Sequence, residues 1–229
     1  TLMPFAVMAN LTAHMAERAA VHARTGHRPG EAVLEEREAI VPLFGPMMEA
    51  SFAQVFAEQI LPNVPVYADV DARGGLAVDL GCGNGWYLNR LLRRCTHLRG
   101  IGMDQSEEGI RQARARAAAD GLADRLSFRK GDLFHFQVDE PVDLIAMNRA
   151  LHHVWGDDVD RRRLVFQILA EHLAPGGAAV IWEPVWPKDR AALRAPARRG
   201  VAFQNLAEHL QGNHFLHPDE IAAELERAG

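Results

Sequence analysis

Residues 76 to 92 read LAVDLGCGNGWYLNRLL, a run that few architectures accommodate. The apolar stretch Leu76-Ala77-Val78 ends in Asp79, glycines stand at 81, 83 and 85, and Leu88, Leu91 and Leu92 then recur at helical spacing. The period changes from that of a buried strand to that of a helix across one tight loop. Glycines there permit positive φ and close approach of a ligand, and the helix start near Asn84 leaves amides unpaired, so an anionic or carboxylate group has a place to dock. Taken alone, the same run is also a plain strand-to-helix turn.

The pattern continues downstream. Strands are expected over 76–80, 98–103, 125–130, 142–147 and 178–183, and helices over 84–94, 106–120 and 158–173. Such alternation predicts an α/β fold, a Rossmann-like parallel sheet with helices on both faces. Ligands of these sheets sit outside the carboxyl ends of the strands. Upstream, residues 2–24 and 31–61 are rich in Ala, Glu, Met and Leu at helical spacing, and the Pro- and Gly-punctuated stretch 61–75 connects them to the sheet. We therefore expect a helical N-terminal lid over residues 1–70 and a core over 71–229, with a helical insertion at about 185–213.

Composition removes several classes of function. Lys and Arg total 25 against 30 Asp and Glu, a net charge of -5, which gives no reason to expect nucleic acid. No apolar run reaches the ~18 residues that span a bilayer, so no membrane partner is expected. Two cysteines, Cys82 and Cys95, make no disulfide framework and suit a reducing, cytoplasmic setting.

Acids close the next two strands as well. Asp104 ends the second in GIGMDQS, where a carboxylate can take both hydroxyls of a ribose; Asp132 ends the third in FRKGDLF, where it and the Leu133 amide can address an adenine edge. Together with the glycine loop, these acids resemble the class I S-adenosylmethionine (SAM)-dependent methyltransferases across residues 76–183. VDLGCGNGW, GMDQS, GDLF, VDLIAMNRALHHV and LAPGGAAVIWEP each look like a motif of that family. The resemblance implies SAM as cofactor, with Asp79, Gly81, Cys82, Gly83 and Gly85 at its methionine end, Asp104 and Gln105 at the ribose, Asp132 and Leu133 at the adenine, and Asn148 near the sulfonium. A nicotinamide-binding loop of the same sheet type would need glycine at position 86, where Trp86 stands. Members of the family usually end in a hairpin of two further strands, which the sequence to Gly229 does not contain.

Histidines mark the rest. NRALHHVWGDD follows the fourth strand, so His152 or His153 can serve as a general base or a metal ligand, or can simply cap and pack the next helix. In FQNLAEHLQGNHFLHPDEI, His209, Gln211, His214 and His217 crowd around Gly212, where one helix should end before Pro218 opens another. With the N-terminal helices, this tail resembles the methyltransferase domains of polyketide synthase loading modules. That likeness implies carbon methylation of a malonyl-type thioester on an acyl carrier protein among neighbouring synthase domains, in some members with iron or manganese. A divalent ion chelating a 1,3-dicarbonyl stabilises the enolate that carbon methylation needs. His153, Gln211 and His214 are the expected ligands, with His209 in reserve. The basic stretch PKDRAALRAPARRG, residues 187–200, is either a solvated helix face or a dock for an acidic carrier. Two other functions fit the motifs: a small-molecule O-methyltransferase with a histidine base, and a silent SAM-binding scaffold in a larger synthase.

Overall fold

The computed structural model describes residues 3–30, 32–37, 39–156 and 158–228, so the starts expected at Leu2 and Glu31 lie outside the described residues. Five parallel strands, β1 (Leu76–Leu80), β2 (Arg99–Asp104), β3 (Leu126–Lys130), β4 (Val142–Asn148) and β5 (Leu173–Trp182), lie in the order β3-β2-β1-β4-β5. The order reverses at β1, which pairs Asp79 with Gly102 on one side and Ala146 on the other. A crevice must open there at the carboxyl ends of β1 and β4. Among the described residues no strand follows β5.

Alternation along the strands divides the core in two. Ala77, Leu144 and Ala146 face one layer, formed by α4 (Val66–Ala72), α5 (Trp86–Arg94) and α6 (Glu107–Ala119). Leu76, Val78, Leu80 and Ile145 face the other, formed by α7 (Leu151–Trp155), α8 (Val159–His172) and α10 (Pro218–Ala228). All five residues of β1 are buried, as a central parallel strand requires.

The N-terminal segment folds as α1 (Met3–Thr25), α2 (Ala32–Glu35), α3 (Phe44–Val55) and a π-helical turn over Phe56–Ile60. The helix expected over 31–61 is thus broken, with Pro42 in a 3-10 turn before α3. α4 was not expected. It lies between Pro65 and Gly74 in the stretch read as a connection, and its Tyr67 and Val70 are buried in the layer that also holds Phe56. Two contacts clamp α3 to the core. Glu49 takes Arg90 of α5 at 3.0 Å and Arg116 of α6 at 2.6 Å. Gly45 lies so close to the glycine loop that a Cβ on it would stand 2.5 Å from Asn84 Cγ.

Beyond β5, residues 190–194 and 196–198 form 3-10 turns that lead into α9 (Arg199–Gln211), and Gly212 ends that helix at φ 101 as expected. Strand β5 begins five residues earlier than the period alone indicates, because Leu173 pairs with Val142 before a register shift. No helix among the described residues is long and apolar enough to cross a membrane.

Candidate active site

A cavity of about 290 Å³ lies at the crevice. Its floor is the end of β1 and the glycine loop. Met8, Leu11 and Met15 of α1 and Phe44, Met47 and Met48 of α3 cover it, and α9 supplies a third side. Helices α1 and α3 therefore lie over the strand ends.

The loop is shaped by its backbone. Gly81, Gly83 and Gly85 all take positive φ, and a Cβ on Gly81 would stand 2.5 Å from Ala150 Cβ. Asp79 is 1% exposed and accepts from Asn148 Nδ2 at 3.0 Å. Burial pushes its carboxyl up to about 7, against the Asn148 bond and with help from Asp104. Asn84, beside it, is 2% exposed, and neither polar atom of its amide finds a partner among the described residues; Asn148 Oδ1 is orphaned likewise. A buried acid that lacks a cation and amides that lack partners suit an amino-acid moiety carrying positive charge.

Of the positions expected at the cofactor, Asp79, Gly81, Cys82, Gly83 and Asn148 line this cavity. Gly85 does not: it packs behind the loop against Phe128 and Ala113. Asp104 stands beyond the cavity wall, accepting from the Gly83 and Ser106 amides, each at 2.8 Å, which fixes both the loop and the carboxylate. Gln105 is exposed next to it. Asp132 accepts from Phe134 N at 3.1 Å, and the Leu133 side chain is buried in the sheet's second layer while its carbonyl accepts from Phe136 N at 3.0 Å. Cys82 is buried, and burial raises its thiol well above the ordinary range, so it stays protonated.

The opposite wall carries the histidines. His152 is 2% exposed, with Nδ1 2.6 Å from Glu183 and Nε2 3.7 Å from Glu208. Burial pulls the imidazole down, but the two carboxylates outweigh it and raise the group to about 9. The two carboxylates thus favour the protonated form of the His152 ring. His153 lines the cavity with Asn213 Nδ2 3.1 Å from its Nδ1. Ligand atoms of His152, His153 and Glu208 all lie within 4.8 Å of one another. This trio shares His153 with the expected set of His153, Gln211 and His214. Gln211 reaches the cavity and approaches Glu208 at 3.4 Å, whereas His214 and the reserve His209 do not line it. His209 instead meets Arg28 at 3.2 Å, and burial, Arg28, His22 and His214 all lower its titration.

Two participants were missed. Glu183 follows the last residue of β5 in the motif LAPGGAAVIWEP, at the same carboxyl edge as the strand acids, so the edge rule would have found it. Glu208 lies one helical turn before Gln211 on α9, and that spacing was its signal.

The profile described as "Methyltransferase domain" matches residues 77–177. A carboxy-S-adenosyl-L-methionine synthase of Wolinella succinogenes is 30% identical over 166 residues, covering 66% of this chain and 67% of its own. The chain belongs to the class I SAM-dependent methyltransferases. Similar to it also is a trans-aconitate 2-methyltransferase of Streptomyces avermitilis, 33% identical over 132 residues, 58% of this chain and 46% of that one. The methyltransferase thus spans under half the length of this second relative. In fold it resembles the mitomycin 7-O-methyltransferase MmcR, with TM-score 0.64, 21% identity, and coverage of 99% of this chain and 66% of that one.

Proposed function

We propose that this methyltransferase transfers a methyl group from SAM to the carbon of a malonyl-type acyl thioester presented by an acyl carrier protein, with a divalent ion at His152, His153 and Glu208. The observation that carries this reading is the meeting of two imidazoles and a carboxylate on the wall facing the glycine loop. The donor set fits a cation. Glu183 accepts from His152 Nδ1, which turns Nε2 toward Glu208 in the carboxylate–histidine–metal arrangement. Mixed imidazole and carboxylate ligands suit iron or manganese. An ion bound there supplies Lewis-acid stabilisation of the enolate oxygens.

The chain's own residues have the remaining work. Asp79 and Asn84 hold the charged methionine end of the cofactor, and Asp104 and Asp132 hold its nucleoside. Met8, Leu11, Phe44 and Met47 exclude water from the transfer path. The Arg-bearing stretch 187–200 runs directly into α9, a cavity wall, so an acidic carrier docked there brings its acyl group to the cavity.

A second reading, O-methylation of a carboxylic acid, is favoured by the relative named for trans-aconitate. It makes an ester and needs no ion. Intact mass spectrometry of malonyl carrier protein incubated with SAM, with iron or manganese or with a strong chelator, tests the first reading. Carbon methylation that the chelator abolishes is the expected result. Base-labile ester formation untouched by chelator would replace it with the second.

A further inference from the structure

Arg149 stands out at the end of β4. It is the one non-glycine residue with positive φ among the described residues, at 58°. A left-handed backbone costs a residue of this kind about 1–2 kcal/mol, and chains keep such geometry where it aims a group. Here Asn148 turns toward Asp79, Ala150 packs on Gly81, and Arg149 between them enters the same cavity. Its amide donates to Trp182 O at 2.7 Å, which locks the turn to β5.

The guanidinium lies 4.5 Å over the Phe52 ring, with Nη2 3.3 Å from Gln204 Oε1 and Nε buried without a partner among the described residues. Burial lowers its titration against the pull of Glu183 and Glu208. A half-buried cation, stacked on an aromatic face and short of acceptors, is arranged to receive a planar anion through its fork of donors.

We infer that Arg149 anchors a free carboxylate on the methyl acceptor and so selects malonyl-type over uncarboxylated acyl groups. The inference rests on the acyl-thioester reading above and adds to it the residue that reads the acid. With its carboxylate on Arg149, the acyl group has its carbonyl end in the same cavity that His152, His153 and Glu208 line.

Binding rather than turnover tests this. Full-length protein saturated with S-adenosylhomocysteine is titrated calorimetrically with malonyl and acetyl N-acetylcysteamine thioesters, using the wild type, Arg149→Met and Arg149→Lys. The malonyl probe should bind the wild type at least ~10-fold tighter than the acetyl probe, as a charge-assisted pair predicts. Arg149→Met should erase that difference, and Arg149→Lys should retain part of it. Equal affinities in the wild type, or a difference that survives in Arg149→Met, would overturn the inference. So would a matching loss of S-adenosylhomocysteine affinity in both variants, since the guanidinium would then serve the cofactor. If the malonyl probe binds through Arg149 yet receives no methyl group from SAM, the acyl-thioester reading fails and the anchor stands.

Discussion

Asp79 is where the chemistry of a single side chain is most exposed to measurement. Its carboxyl titrates at about 7 in the fold against about 4 in an unfolded chain, because burial disfavours the charge. A raised pKa means that the native state holds an extra proton between those values. The stabilisation this confers is complete below about pH 4 and lost as pH rises through 7, by an amount on the order of 4 kcal/mol at most. Asp79→Asn should therefore unfold at a higher temperature than the wild type at pH 8, with the gap closing at pH 5. Its SAM affinity should drop at both. Thermal scans at the two pH values, paired with calorimetry, check this; a gap independent of pH would show that the carboxylate carries no such penalty. Residues of this kind were legible in the sequence because they end strands. Asp79, Gly81 and Gly83 stand at a strand end and its glycine loop, whereas Asn148 came only with the family resemblance. Glu208 needed tertiary knowledge, since only folding brings residue 208 within reach of residue 152.

Helices and strands were read well where the period was long and uninterrupted, as in α5, α6 and α8. Short elements escaped. α4 has seven residues between Pro65 and Gly74, and α7 has five, each too few to show a helical stripe. What holds α3 over the cavity is equally invisible in sequence: Glu49 bridges two arginines on different helices. Although burial works against it, Arg116 and Arg90 keep this carboxyl below its usual range. Glu49→Gln should cost about 1–3 kcal/mol, less than a fully buried pair because both arginines are partly exposed. Denaturant titration measures that loss. Limited proteolysis should also cut the segment before α4 sooner in the variant, whereas unchanged cleavage would detach Glu49 from any role in seating the helices.

Across the whole molecule, the cavity draws its walls from α1, α3, the ends of β1 and β4, and α9. A ligand in it touches α1 together with the two helices packed on α1, namely α3 and α9. Hydrogen exchange should register this: S-adenosylhomocysteine should slow exchange in α1, α3 and α9 together with residues 79–85. Protection confined to the loop would mean that the helices do not close on the cofactor. The parallel sheet was legible because alternation of period dictates it. Which termini meet above the sheet was not, because no local pattern encodes the pairing of α1 with α9.

That meeting has a bearing on how the protein is made. During synthesis the sheet order can be laid down as far as β4 once residue 148 has left the ribosome, and the cofactor loop is then between its neighbours. The cavity above that loop has no such early form. Its roof waits for a wall that arrives with residues 203 to 211, because Leu11 and Met15 are covered by Phe203, Ala207 and Leu210 of α9. Through that interval α1 carries an apolar face whose partner on α9 has yet to be made.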